Sequence, residues 1–150
     1  VTLRERGQLR GCIGSLEPSQ PLAETVRDRA ILAAAHDSRF PSIRAQELPS
    51  LDIEVSVLSP LRRVASADDI DIAKHGVVVR SGGRSGVFLP QVAEETGWNR
   101  DELLSHLCRD KAALPADAWK QGAALYVFTV QAFTSPAPGA SSDAGSSPGT

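Results

Sequence analysis

The sequence predicts an α+β domain built on a largely antiparallel sheet flanked by helices. Three observations predict it. Extended runs lie on either side of two tight-turn signals, Arg6-Gly7 and SGGRS (81–85). The stretch LDIEVSVL (51–58) alternates apolar and polar residues without a break. Helical runs separate the extended ones without the strict βαβ alternation of a parallel sheet.

The elements follow in chain order. VTLRE and QLRGCI are short strands forming a hairpin across Arg6-Gly7. Pro21 opens a helix in which Leu22, Val26, Ala30, Ala33 and Ala34 recur at helical spacing; it ends near His36-Asp37, with Pro41 beyond. LDIEVSVL is a half-buried strand, with Leu51, Ile53, Val55 and Val57 expected on the core face and Asp52, Glu54 and Ser56 turned away. GVVVR (76–80) and GVFL (86–89) form a second hairpin. Asn99 and Glu102 read as a capping box before a helix carrying Leu103, Leu104, Leu107 and Cys108. ALYVFTVQAF (124–133) is the last strand. The domain is therefore expected over 1–133. The Ser/Gly/Pro-rich remainder, 134–150, lacks large apolar residues to offset chain entropy and is expected to be disordered. The chain starts at Val1 inside a strand and contains no methionine, so a fragment missing its natural start is expected.

Composition narrows the function classes. A net charge of −2 offers no basic field for nucleic acid or anionic lipid. No apolar run approaches the ~20 residues that span a bilayer, and nothing resembles a signal peptide, so a reducing cytoplasm is the expected setting. Cys12 and Cys108 are too few for a disulfide framework. His106 and Cys108 stand two apart on a helix and face different ways, so no metal site is assigned. SGGRS, with Arg80 and Arg84, fits an anion-binding nest or, more simply, a Gly-Gly turn.

The chemistry-bearing stretch is LRGCIGSLEP (9–18). Strand alternation places Leu9 and Ile13 toward a core and Gln8, Arg10 and Cys12 on the other face, with Arg10 and Cys12 about 6.5–7 Å apart. A guanidinium there favours the thiolate, and Gly11 and Gly14 leave the sulfur approachable. The opposing reading makes Cys12 a small buried hydrophobe and the glycines packing devices. Glu54 either pairs with Arg10 or orients a base, or belongs to a solvated strand face. HDSRFP (36–41) is either a ligand-facing loop carrying His36, Asp37 and Arg39, or a helix stop in which Phe40 anchors the loop.

LRGCIGSLEP, DSRFP, LDIEVSVLSP, GVVVRSGGRSGVFLPQV and LLSHLCR occur in the order seen in the AMMECR domain family, named for the AMME chromosomal region. The resemblance covers Val1 to about Phe133, and RGCIG (10–14) is its most specific motif. Prokaryotic members are also called AmmeMemoRadiSam system protein A. The resemblance implies two unequal lobes with a cleft between them. It also implies the company of a Memo-like protein and a radical S-adenosylmethionine enzyme; it implies no settled reaction and no cofactor. Two classes of function follow: an accessory or catalytic component of a shared modification pathway, or a non-catalytic adaptor. In the first, Cys12 is nucleophile or covalent acceptor, Arg10 its electrostatic partner, and Glu54 or His36 a proton acceptor. Gly11, Ile13, Gly14 and Arg39 would meet the small-molecule or protein ligand. The chain departs from the family where CRDKAALP (108–115) lacks the glycine expected after LCR, and additional N-terminal residues, including a helix, are expected in other members.

Overall fold

The computed structural model describes residues 1–17 and 19–138. Two antiparallel hairpins organise it. The first joins β1 (Thr2–Glu5) to β2 (Gln8–Cys12) through Arg6 and Gly7, both at positive φ (51° and 78°), the geometry of a two-residue turn matched to strand twist. The second joins β5 (Gly76–Ser81) to β6 (Arg84–Phe88) through Gly82 and Gly83, at φ 55° and 77°. The remaining strands are β3 (Leu51–Leu58), β4 (Arg62–Val64), β7 (Ala124–Phe128) and β8 (Val130–Ser135). They form two four-stranded sheets, ordered β2-β1-β3-β8 and β4-β7-β5-β6. The helices are α1 (Leu22–Ala35), α2 (Gln91–Thr96) and α3 (Arg100–His106), which continues as a π turn over Leu107–Lys111. The class is α+β.

The chain divides into two compact units. Unit 1 is Val1–Ser56 with the described chain from Ala132 onward; unit 2 is Val57–Gln131. Unit 2 has the larger core. Val77, Val79, Leu103, Leu104, Leu107, Cys108, Leu125 and Val127 are almost completely buried there, with Trp98 and Trp119 packed at its margin. The capping box forms as its spacing predicts: Glu102 N–H donates to Asn99 Oδ1 (3.0 Å) and Asn99 N–H to Glu102 Oε2 (2.9 Å). Ala113, just after the π turn, takes a left-handed conformation at φ 53°, where glycine is the unstrained residue.

In unit 1, α1 packs on β1 and β2. Leu3 (β1), Gly11 (β2) and Ile53 (β3) are cross-strand partners and so share one face. Gly11 identifies it as the α1 face, because a Cβ there would lie 2.2 Å from the Ala33 carbonyl oxygen. Coverage is local, which corrects the expectation for β3. Leu51 is buried, but Ile53 is 39% exposed and Val55 and Val57 are only half-buried. The period-two pattern gives the facing of Ile53; it does not say what covers it.

Three other expectations change. A β-bulge interrupts β2: Leu3 opposes Gly11 while Arg4 opposes Leu9, leaving Arg10 with no opposite residue. The slip inverts the faces before it, so Leu9 lies on the Cys12 face rather than with Ile13. The last strand is broken at Thr129, whose N–H donates to Ser59 Oγ and whose carbonyl accepts from Ser59 N–H, each at 2.9 Å. β7 therefore belongs to one sheet and β8 to the other. β8 continues through Thr134 and Ser135, and Ala137 N–H donates to Asp52 Oδ1 at 2.8 Å, so the expected tail starts too early. Its residues 139–150 lie outside the described residues.

Candidate functional site

Cys12 closes β2. The flanking pair Val1–Ile13 exchanges main-chain hydrogen bonds, so the Cys12–Thr2 pair is of the close, non-hydrogen-bonded type. Two consequences follow. The side chains meet, with Cys12 Sγ 3.3 Å from Thr2 Oγ1. The Cys12 N–H and C=O point outward from the sheet edge, where they need other partners.

Asp37 and Arg39, in the loop after α1, are those partners. Cys12 N–H donates to Asp37 Oδ2 at 2.9 Å, and Arg39 Nη2 donates to the Cys12 carbonyl at 3.1 Å. The two side chains also pair side-on: Arg39 Nε to Asp37 Oδ1 at 2.9 Å and Arg39 Nη2 to Asp37 Oδ2 at 2.7 Å. Asp37 is 8% exposed. The Arg39 side chain, then the Cys12 N–H, hold its carboxyl well below the usual carboxylate range. Arg39 is itself raised, first by its hydrogen bond to Asp37. A cation thus stands at the Cys12 main chain, and it is Arg39.

Arg10 is occupied elsewhere. Its Nε and Nη2 bind Glu47 Oε1 at 2.9 and 2.8 Å, and its Nη1 binds the Pro41 carbonyl at 2.8 Å. Glu47 also accepts the Arg44 N–H, which with Arg10 lowers its pKa. Arg10 therefore fastens β2 to the 39–50 segment, and the expected pairing of Arg10 with Cys12 is replaced by this tie. Glu54 opposes Thr2 on β3, making a row Cys12–Thr2–Glu54 across three strands on the face opposite Gly11. Two strand spacings separate its ends, about 9–10 Å. The Glu54 side chain makes no hydrogen bond or ion pair among the described residues, and Arg10 is bound to Glu47 and Pro41, so of the alternatives for Glu54 the pairing with Arg10 does not form. His36 is exposed at the C-cap of α1, where its N–H donates to the Leu32 carbonyl.

The motif's glycines divide. Gly11 is filled on its α-carbon side by the Ala33 backbone, so its contribution is packing rather than the ligand contact expected of it. Gly14 is exposed, and a Cβ placed there would meet nothing within 4 Å. Ile13 is half-buried and fixes the end of the ladder through Val1. Phe40 is half-buried beneath the Arg39 guanidinium, 5.4 Å from its ring centre. Cys108 differs from Cys12 in every respect: it is fully buried in unit 2, and burial pushes its thiol up.

Thr2 is the site residue that sequence reasoning passed over, and Asp37, read only as part of a possible ligand-facing loop, was given no role of its own. Asp37 had a signal, an acid and an arginine two apart directly after a helix. Thr2 had none, because only the strand register reveals it. Among the described residues no group of three or more His, Cys, Asp or Glu is placed to hold a metal ion, and no helix is long and apolar enough to cross a membrane. Unit 2 contains a depression of about 890 Å³ lined by Arg63, Asp68, Arg100, Trp119 and Lys120. Its charges are largely paired with one another, Arg100 with Asp68 at 2.6 Å and Lys120 with Asp101 at 3.9 Å. It contains none of the residues singled out by the sequence.

The fold and the cysteine-bearing strand define an α+β domain of two compact units. The AMMECR1 family profile matches residues 1–133, and the chain belongs to that family. It is 42% identical over 138 residues to a protein of Methanosarcina acetivorans, and 45% identical over 143 residues to protein MK0488 of Methanopyrus kandleri. Each match covers 89% of this chain and 69% of the relative. The crystal structure of the uncharacterized protein PH0010 from Pyrococcus horikoshii superposes with a TM-score of 0.81 at 36% identity, covering 91% of this chain and 72% of that one.

Proposed function

We propose that this AMMECR1-family domain is an accessory or catalytic component of a cytoplasmic modification pathway shared with Memo-like and radical S-adenosylmethionine proteins, and that Cys12 is its nucleophile or covalent acceptor. The observation that carries the reading is the Arg39 guanidinium, locked by Asp37 against Cys12. A fixed cation at the strand end is a partner for an anionic ligand or for the charge of a covalent adduct on the sulfur. Thr2 Oγ1 sits within reach of the sulfur, and Glu54 is the nearest free carboxylate in the same row. Ile13, Gly14 and Arg39 are the ligand contacts in this reading.

The adaptor reading has its own support, since Gly11 and Arg10 serve packing and tethering. Alkylation of the native protein decides between them. Under the reactive-thiol reading, iodoacetamide labels Cys12 before denaturation, Arg39→Ala slows the labelling several-fold at neutral pH, and Arg39→Lys restores part of the rate. Labelling of Cys12 only after unfolding, or at a rate indifferent to Arg39, leaves the adaptor.

A further inference from the structure

The depression in unit 2 combines an apolar lining with an excess of cations. Val64 and Leu125, opposed across β4 and β7, contribute buried apolar surface, and Trp119 contributes a half-buried indole. Three cations, Arg63, Arg100 and Lys120, line it against two acids, Asp68 and Asp101. The net charge of the chain is −2, so the positive excess is local.

The acids do not use up the donors. The Arg63 guanidinium makes no hydrogen bond or ion pair among the described residues. Arg100 donates from Nη2 to Asp68 Oδ1 at 2.6 Å, but its Nε is buried without a hydrogen-bond partner, with Asp101 Oδ1 4.0 Å away. A buried N–H in that state is costly until an acceptor reaches it. Lys120 Nζ lies 3.9 Å from Asp101, outside hydrogen-bond range, and 4.8 Å from the Trp119 ring centre. The Asp68 and Asp101 side chains are 81% and 57% exposed. Exposed ion pairs contribute little, so an incoming anion can take over their cations.

We infer that this depression is a binding site for a small organic anion, a carboxylate or phosphate carried on a flat apolar body. Guanidinium forks match either head group, and Lys120 adds a point charge. The volume of about 890 Å³ is far more than a bare inorganic anion fills. It lies within the roughly 300–1,000 Å³ of small-molecule sites. Trp119, with Val64 and Leu125, receives the apolar body. None of the residues around Cys12 takes part, so the inference stands apart from the reading of that site.

The experiment titrates the full chain with phenyl phosphate and with benzoate, followed on the two indole N–H signals in proton–nitrogen correlation spectra, which Trp119→Phe assigns. The Trp119 signal moves saturably with a dissociation constant at or below about 1 mM, and the Trp98 signal stays. The tighter of the two anions identifies the head group. Benzamide, which lacks the charge, and inorganic phosphate, which lacks the ring, each bind at least about tenfold more weakly. Arg63→Ala and, independently, Lys120→Gln weaken binding at least about threefold. Both side chains are exposed, so the circular-dichroism melt stays in place. Absence of a saturable Trp119 shift with either anion overturns the inference. So does benzamide or inorganic phosphate binding as tightly as the organic anions, or parent affinity in both charge variants.

Discussion

The Cys12 main-chain N–H donates to Asp37 Oδ2 at 2.9 Å, joining the last residue of a strand to the loop after a helix, 25 positions along the chain. Arg39 completes the link by binding both the Asp37 carboxylate and the Cys12 carbonyl. One acid therefore fixes the strand end and holds the cation at the Cys12 carbonyl.

Asp37 should appear in the acid limb of stability. Its carboxyl is lowered in the folded state, so between its folded value and the unfolded ~3.9 the unfolded chain binds more protons. Stability from this group is therefore complete above the ordinary carboxylate range and is lost as pH falls below it. Asp110, lowered to about 2 first by Arg109 and then by His106, adds to the same limb. In urea titrations at stepped pH, Asp37→Asn should be less stable than the parent at pH 7, and the gap should close on acidification. A gap independent of pH would mean that the carboxylate charge contributes nothing.

The two glycines of the motif should respond oppositely. Gly11→Ala places a methyl group 2.2 Å from the Ala33 carbonyl oxygen, a backbone atom that moves only with α1. The expected loss is about 1–3 kcal/mol, as for overpacking. Gly14→Ala meets nothing within 4 Å and should stay within about 0.5 kcal/mol of the parent. Denaturant midpoints compare the pair directly.

Arg10 and Arg39 should also separate. Arg10→Ala removes the tie to Glu47 and the Pro41 carbonyl and should lower the melting temperature. It should leave the alkylation rate of folded Cys12 near that of the parent, in contrast to Arg39→Ala. Equal slowing by both variants would reinstate Arg10 as the electrostatic partner.

Ala113 offers a gain. At φ 53° it occupies a conformation that costs an L-residue roughly 1–2 kcal/mol, partly offset in the glycine variant by the greater freedom of its unfolded chain. Ala113→Gly should raise stability by about 0.5–1 kcal/mol. An unchanged or lower melting temperature would show that the turn is held by its surroundings, including the Arg84 side chain bound to the Ala113 carbonyl.

Local signals made much of the fold legible. Two turn dipeptides gave both hairpins, Pro21 and His36 bracket α1, and Asn99 with Glu102 cap α3. What stayed hidden depends on partners distant in sequence. The bulge at Arg10 shows only in the register with β1, and it sends that guanidinium to Glu47. The break at Thr129 depends on Ser59, 70 positions away. Ile53 faces as its alternation requires, yet it is left 39% exposed. RGCIG was readable as a cysteine beside a cation, but which cation is a property of the folded loop.

The division of the chain also sets an order of assembly on the ribosome. Unit 2 is one uninterrupted segment, whereas unit 1 needs β8, the last of the described strands. Residues 57–131 can therefore close their core while the sheet carrying Cys12 still has three strands. Until Val130–Ser135 emerges, the edge of β3 beside Ile53 is open to any nascent neighbour. The cysteine-bearing half of the molecule is thus the part most dependent on chaperone protection during translation, and a pause placed before codon 130 would lengthen that exposure.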